Sequence, residues 1–192
     1  DFNDTALGWQ WQFEGPYSHY WYYANAKKSM LRLYGPQFPD DYKNLSDLQN
    51  MLLQKFPTEN FTATARVRFI PNPDFKQKGE EGGFIIMGQD YAGIKFVSTV
   101  NGCAMRYVTC KNAYNGTSET TVSERTIKLS PMQKPYTQKY AVDDIPQPRL
   151  ATPWIYVRAK VHSEGTGNNI KSFAQFSYSM DGKKFTDTGS TF

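Results

Sequence analysis

The chain has 192 residues, enough for one domain with a substantial core. Its 22 Lys and Arg stand against 18 Asp and Glu, a net charge of +4 that no basic run concentrates. Aromatic residues make up 16% of it, too many for a disordered polymer, and no stretch approaches the ~20 apolar residues of a membrane-spanning helix. With 14 Gly and 11 Pro, the composition favours short strands joined by turns.

The chain opens on Asp1 with no charged and apolar leader behind it, so either a start removed by processing or a piece of a longer polypeptide is expected. Strand candidates begin with Leu7–Phe13, Trp21–Ala24 and Met30–Tyr34. Ser46 followed by Gln49 reads as a capping box, which predicts a short helical turn near 45–49 and then a strand over Met51–Phe56. From Phe61 the chain alternates: Phe61, Ala63, Ala65, Val67 and Phe69 on one side, Thr62, Thr64, Arg66 and Arg68 on the other. That is a strand with one wet face. Phe84–Met87, apolar on both sides between Gly83 and Gly88, predicts a central strand.

Asn101-Gly102 predicts a type I′ hairpin between Ile94–Val100 and Cys103–Cys110, pairing Val100 with Cys103. Two cysteines seven residues apart on one strand would lie ~23 Å from each other, so two free thiols are expected. Thr120–Leu129 is a further strand. The stretch Ser130–Pro153 holds Pro131, Pro135, Pro146, Pro148 and Pro153 and reads as an insertion loop outside the sheets. Ile155–Val161 and Ala174–Met180 resume the alternation, and Asp181-Gly182 predicts a second tight hairpin into Lys183–Thr186. The sum is an all-β fold with little helix: two antiparallel sheets packed as a jelly-roll sandwich, occupying residues 1–192 as a single domain.

Chemistry is harder to find than fold. A glycosidase needs two facing carboxyl groups, and no strand carries Glu-x-Asp or Glu-x-Glu. Glu80-Glu81, Asp40-Asp41 and Asp143-Asp144 read as solvated acids in loops. His19 and His162 are too few for a zinc centre, and no phosphate loop or nucleophile elbow is present. No catalytic residue is assigned. What remains is a concentration of rings between residues 9 and 23. Trp9, Trp11, Tyr20, Trp21 and Tyr22 are the candidate carbohydrate-binding or domain-interface residues, since flat rings pack equally against sugar faces and protein. Trp9, Trp11 and Phe13 would share one strand face, and Tyr17, Tyr20 and Tyr22 are expected to be exposed. Nucleic acid is not an expected partner, because no basic groove accompanies the rings.

Several stretches, taken in order, resemble one family. They are Leu7-Gly8-Trp9-Gln10-Trp11, Met30-Leu31-Arg32-Leu33-Tyr34, Asn50-Met51-Leu52-Leu53-Gln54-Lys55-Phe56-Pro57, Gly83-Phe84-Ile85-Ile86-Met87-Gly88-Gln89-Asp90-Tyr91-Ala92 and Phe176-Ser177-Tyr178-Ser179-Met180-Asp181-Gly182. Together they are similar to the C-terminal concanavalin A-like domain of family 43 β-xylosidases and α-arabinofuranosidases. The resemblance implies an accessory sandwich beside a catalytic propeller of the same polypeptide, with xylan- or arabinan-derived oligosaccharide as substrate of the whole. It implies catalytic acids on the propeller, and a periplasmic or secreted bacterial parent is expected. No cofactor is implied beyond a structural calcium ion, whose ligands no spacing reveals. The family's Asn-His-Asn-Pro after Trp-Gln-Trp is replaced here by Gln12-Phe13-Glu14-Gly15-Pro16, so contacts made by those polar residues do not carry over. The family's chain is expected to run on past Phe192, and the loop that reaches the active site belongs to that further stretch. An independent carbohydrate-binding module and a jelly-roll glucanase are the competing readings.

Overall fold

Residues 2–16, 18–72, 79–132 and 149–192 are described by the computed structural model. The chain divides into two compact units, Asp1–Thr58 with Cys110–Glu119, and Glu59–Thr109 with Thr120–Phe192. Among the described residues no helix is long and apolar enough to cross a membrane.

The first unit is built from short ribbons. β1 (Trp11–Phe13) pairs antiparallel with β4 (Leu52–Gln54), setting Phe13 opposite Leu52. Between them, β2 (Tyr22–Asn25) pairs with β3 (Met30–Leu33) through a 3-10 turn at Ala26–Lys28. Ser29 closes that turn at φ 48°, a left-handed conformation that few side chains adopt. The helical turn predicted near 45–49 is a 3-10 turn over Leu45–Asp47. Its capping box is made by Asn44 and Asp47, two residues earlier than Ser46 and Gln49.

The second unit is the sandwich. Its strands are β5 (Phe61–Val67), β6 (Glu81–Ile86), β7 (Tyr91–Thr99), β8 (Gly102–Cys110, whose last residue falls in the first unit), β9 (Thr120–Ile127), β10 (Ser130–Pro131), β11 (Leu150–Ala151), β12 (Ile155–Glu164), β13 (Lys171–Ser179) and β14 (Thr186–Asp187). One sheet runs β6-β7-β8-β9 and the other β14-β13-β12-β5. The core lies where their inner faces meet, with Ile94, Phe96, Met105 and Tyr107 against Val157, Ala159, Ala174 and Phe176. Tyr107 and Phe176 join the two sheets ring to ring at 5.7 Å. The larger of these side chains, Ile94, Phe96, Met105, Val157 and Phe176, each contribute about 1.5–3 kcal/mol on burial, which makes this face the main source of stability. The C-terminal segment continues the second sheet, where Ala174 and Phe192 exchange backbone hydrogen bonds of 2.9 and 3.0 Å.

The long alternating strands match their predicted positions, and four local expectations are corrected. Phe84–Ile86 lies on β6, an edge strand, whereas β7 is central and buried from Tyr91 through Ser98. The first hairpin turns at Val100-Asn101, so Val100 does not pair with Cys103. Gly102 alone takes positive φ there, at 124°, and Asn101 does not, so the type I′ geometry is absent. The second reversal is wider than a tight hairpin, since β13 ends at Ser179 and β14 starts at Thr186. The proline-rich stretch begins and ends in a two-stranded ribbon, Ser130 opposite Ala151 and Pro131 opposite Leu150. Residues 133–148, with Pro135, Pro146, Pro148, Asp143 and Asp144, lie outside the described residues. Cys103 and Cys110 are buried thiols with no disulfide between them, as expected.

Candidate functional site

The aromatic segment of the first unit is organised around one ring. Phe13 on β1 is 8% exposed, held by pairing with Leu52. Trp21 meets it edge-on at 5.4 Å and Tyr22 lies tilted against it at 6.1 Å. Trp11 stacks on Phe2 at 5.5 Å and is half-buried, with its indole Nε1 buried and unpartnered among the described residues. Trp9 and Tyr20 behave differently. Trp9 is 105% exposed and Tyr20 76%.

The local chain explains the split. Trp11 N donates to Gly8 O, which puts Trp9 in a turn and off the strand face expected for it beside Trp11 and Phe13. Ser18 caps the 3-10 turn His19–Trp21, and that turn sends Trp21 inward and Tyr20 outward against His19, 3.9 Å away. Tyr22 is half-buried, against the expectation of exposure, and Tyr17 lies outside the described residues. The five candidate rings therefore do not form one platform. Trp21 and Tyr22 pack structurally on Phe13, Trp11 belongs with Phe2, and Trp9 and Tyr20 face solvent.

The polar hub of this unit was missed in the sequence. Asn44 is wholly buried and donates through Nδ2 to Ala113 O and Thr117 O, each at 2.9 Å. It accepts from Ser46 N at 2.8 Å and Ser46 Oγ at 2.6 Å, so its side-chain oxygen and amide are both satisfied. The signal in the sequence is Asn44-x-x-Asp47, a capping pattern two residues before the Ser46 and Gln49 pair.

The shifts of Cys103 and Asp181 both run away from catalytic use. Burial pushes the Cys103 thiol up to about 11, which disarms it as a nucleophile. Asp181 is brought down to about 2 by the amides of Lys183 and Lys184 and the Ser179 hydroxyl, the opposite direction from a general acid. Glu81 is no solvated loop acid: it starts β6 and meets the buried Lys95 Nζ at 2.5 Å. Glu80 accepts from Asn72 N at 2.6 Å. Among the described residues no group of His, Cys, Asp and Glu is placed to hold a metal ion.

The model of the β-xylosidase C-terminal concanavalin A-like domain matches residues 1–192. The chain belongs to that family. It is an accessory domain of the family 43 β-xylosidase type, and its two antiparallel sheets are the concanavalin A-like sandwich which that description names. No curated protein and no solved structure matches it.

Proposed function

We propose that the chain is the non-catalytic sandwich of a family 43 β-xylosidase or α-arabinofuranosidase. In this reading it packs against the catalytic propeller of the same polypeptide, and the whole acts on xylan- or arabinan-derived oligosaccharides. The observation that carries the reading is the family match over residues 1–192. The exposed Trp9 and Tyr20 supply the contact. Trp and Tyr are enriched at the centres of interfaces relative to the rest of a protein surface. Covering one removes ~150–250 Å² from water, a gross gain of about 4–6 kcal/mol at ~25 cal/mol per Å². Part of that gain is offset by the cost of ordering the two surfaces.

The mechanism is mechanical. The domain adds rigid surface to the propeller and contributes no acid, base or nucleophile. The test produces the propeller with and without this domain and compares thermal inactivation and turnover on nitrophenyl xyloside. The expected result is slower inactivation with the domain present and no turnover by the domain alone. Turnover by the purified domain, or a propeller indifferent to it, overturns the reading. Independent sugar binding through Trp9 is the competing use of the same ring, and Trp9→Ala separates them. Docking predicts weaker propeller stabilisation in that variant, whereas a sugar platform predicts loss of xylo-oligosaccharide binding alone.

A further inference from the structure

The outer face of the sheet β14-β13-β12-β5 carries cations that the docking reading leaves unused. β5 presents Thr62, Thr64 and Arg66 away from the core, and β12 presents Tyr156, Arg158 and Lys160. Register sets Arg66 opposite Tyr156 and Arg158 opposite Thr64, so the two strands interleave guanidinium groups with rings and hydroxyls. Each arginine lies on an aromatic ring. Arg66 sits 4.7 Å above Trp154 and 5.7 Å from Tyr156, Arg68 lies 5.9 Å from Trp154, and Arg158 covers Phe185 at 3.4 Å.

Stacking engages the flat face of a guanidinium and leaves its N–H edge available. Arg66 makes no hydrogen bond or ion pair among the described residues. Arg68 commits only Nε, to Thr152 O at 3.1 Å, and Arg158 only Nε, to Thr64 Oγ1 at 3.0 Å. The carboxylates of this face are Asp187 on the β14 edge, Glu164 beside His162 and Asp181 after β13, which is taken up by the Ser179 hydroxyl and the amides of Lys183 and Lys184; none is bonded to the three arginines. The result is three oriented donor forks with no carboxylate bonded to them, extended on β12 by the exposed Lys160. Fork geometry matches a carboxylate two bonds at a time.

We propose that this face binds oligosaccharides bearing uronic acid groups. The carboxylates are received edge-on by Arg66, Arg68 and Arg158, and the neutral hydroxyls by Thr62 and Thr64. The choice of a sugar over a polyacidic protein segment follows from the interleaving. The hydroxyls of Thr62 and Thr64 and the rings of Trp154, Tyr156 and Phe185 stand among the three guanidiniums, and a polyacidic segment leaves these groups unmatched. That suits a polyol chain with occasional acids. The inference rests on the proposed hemicellulose role for its ligand class.

The test is calorimetry on the 192-residue chain with a xylo-oligosaccharide carrying one glucuronic acid, its unsubstituted counterpart and oligoglutamate. The acidic sugar is expected to bind at least about tenfold tighter than the neutral one and to weaken as salt rises. Arg66→Gln and Arg158→Gln are each expected to lower that affinity about tenfold, with Arg66→Lys restoring only part, because it keeps charge without the fork. Melting curves confirm that the variants are folded. Equal binding of acidic and neutral sugars, or acidic binding unchanged in both glutamine variants, overturns the proposal. Oligoglutamate bound as tightly as the acidic sugar overturns it too, and reassigns the face to an acidic protein surface. None of these outcomes bears on propeller docking, which is read from the propeller and Trp9.

Discussion

Strand β12 has two faces with opposite duties. Ile155, Val157, Ala159 and Val161 are buried in the core, while Tyr156, Arg158 and His162 on the other side remain partly in water and Lys160 is exposed. The inner face is held by apolar area, so its tolerance for change is low. Its outer neighbour is held by stacked guanidiniums and hydroxyls, contacts worth little to stability when exposed. The same alternation that folds the sheet thus frees one residue in two for recognition.

The sharpest break in this comparison is on the inner side. Phe176→Ala is expected to cost about 3–5 kcal/mol, measured by urea unfolding, because the cavity opens at the junction of both sheets. A smaller loss tests β7, which is buried on both faces. Glu81→Gln takes one carboxylate contact from the buried Lys95 ammonium and is expected to cost about 2 kcal/mol by the same measurement.

Loop effects come next. Asp181 holds its proton less tightly folded than unfolded, so ionisation favours the folded state above the unfolded value of ~3.9. That contribution is lost as pH falls towards about 2, the folded value. Asp181→Asn is expected to flatten the acid limb of the stability profile, seen in melting temperature between pH 5 and pH 2 (roughly the window of the two values). The smallest expected change is on the outer face itself. Arg158→Gln is expected to leave unfolding within about 0.5 kcal/mol of the parent, and a larger loss would make that face structural.

The alternation of β5, β12 and β13 was legible because period two is a local signal. Their neighbours in the sheet were not. Arg66 and Arg158 meet because residues far apart in the chain pair by register, which no window of sequence contains. The same limit misplaced Phe84–Ile86, whose apolar run suits a central strand although the topology puts it at an edge. At the first turn Asn101-Gly102 offered two residues able to take positive φ, and the chain used only Gly102. Within the aromatic segment composition located the rings, and backbone turns at Gly8–Trp11 and His19–Trp21 decided which stay exposed.

The accessory role is tested most directly by titrating the chain into the separately produced catalytic propeller and reading heat. The account expects saturable binding by the parent chain, strong weakening in a Trp9→Ala, Tyr20→Ala double variant, and no change in Arg66→Gln. Undiminished binding by the double variant, or hydrolysis of xyloside by the chain without the propeller, would contradict it.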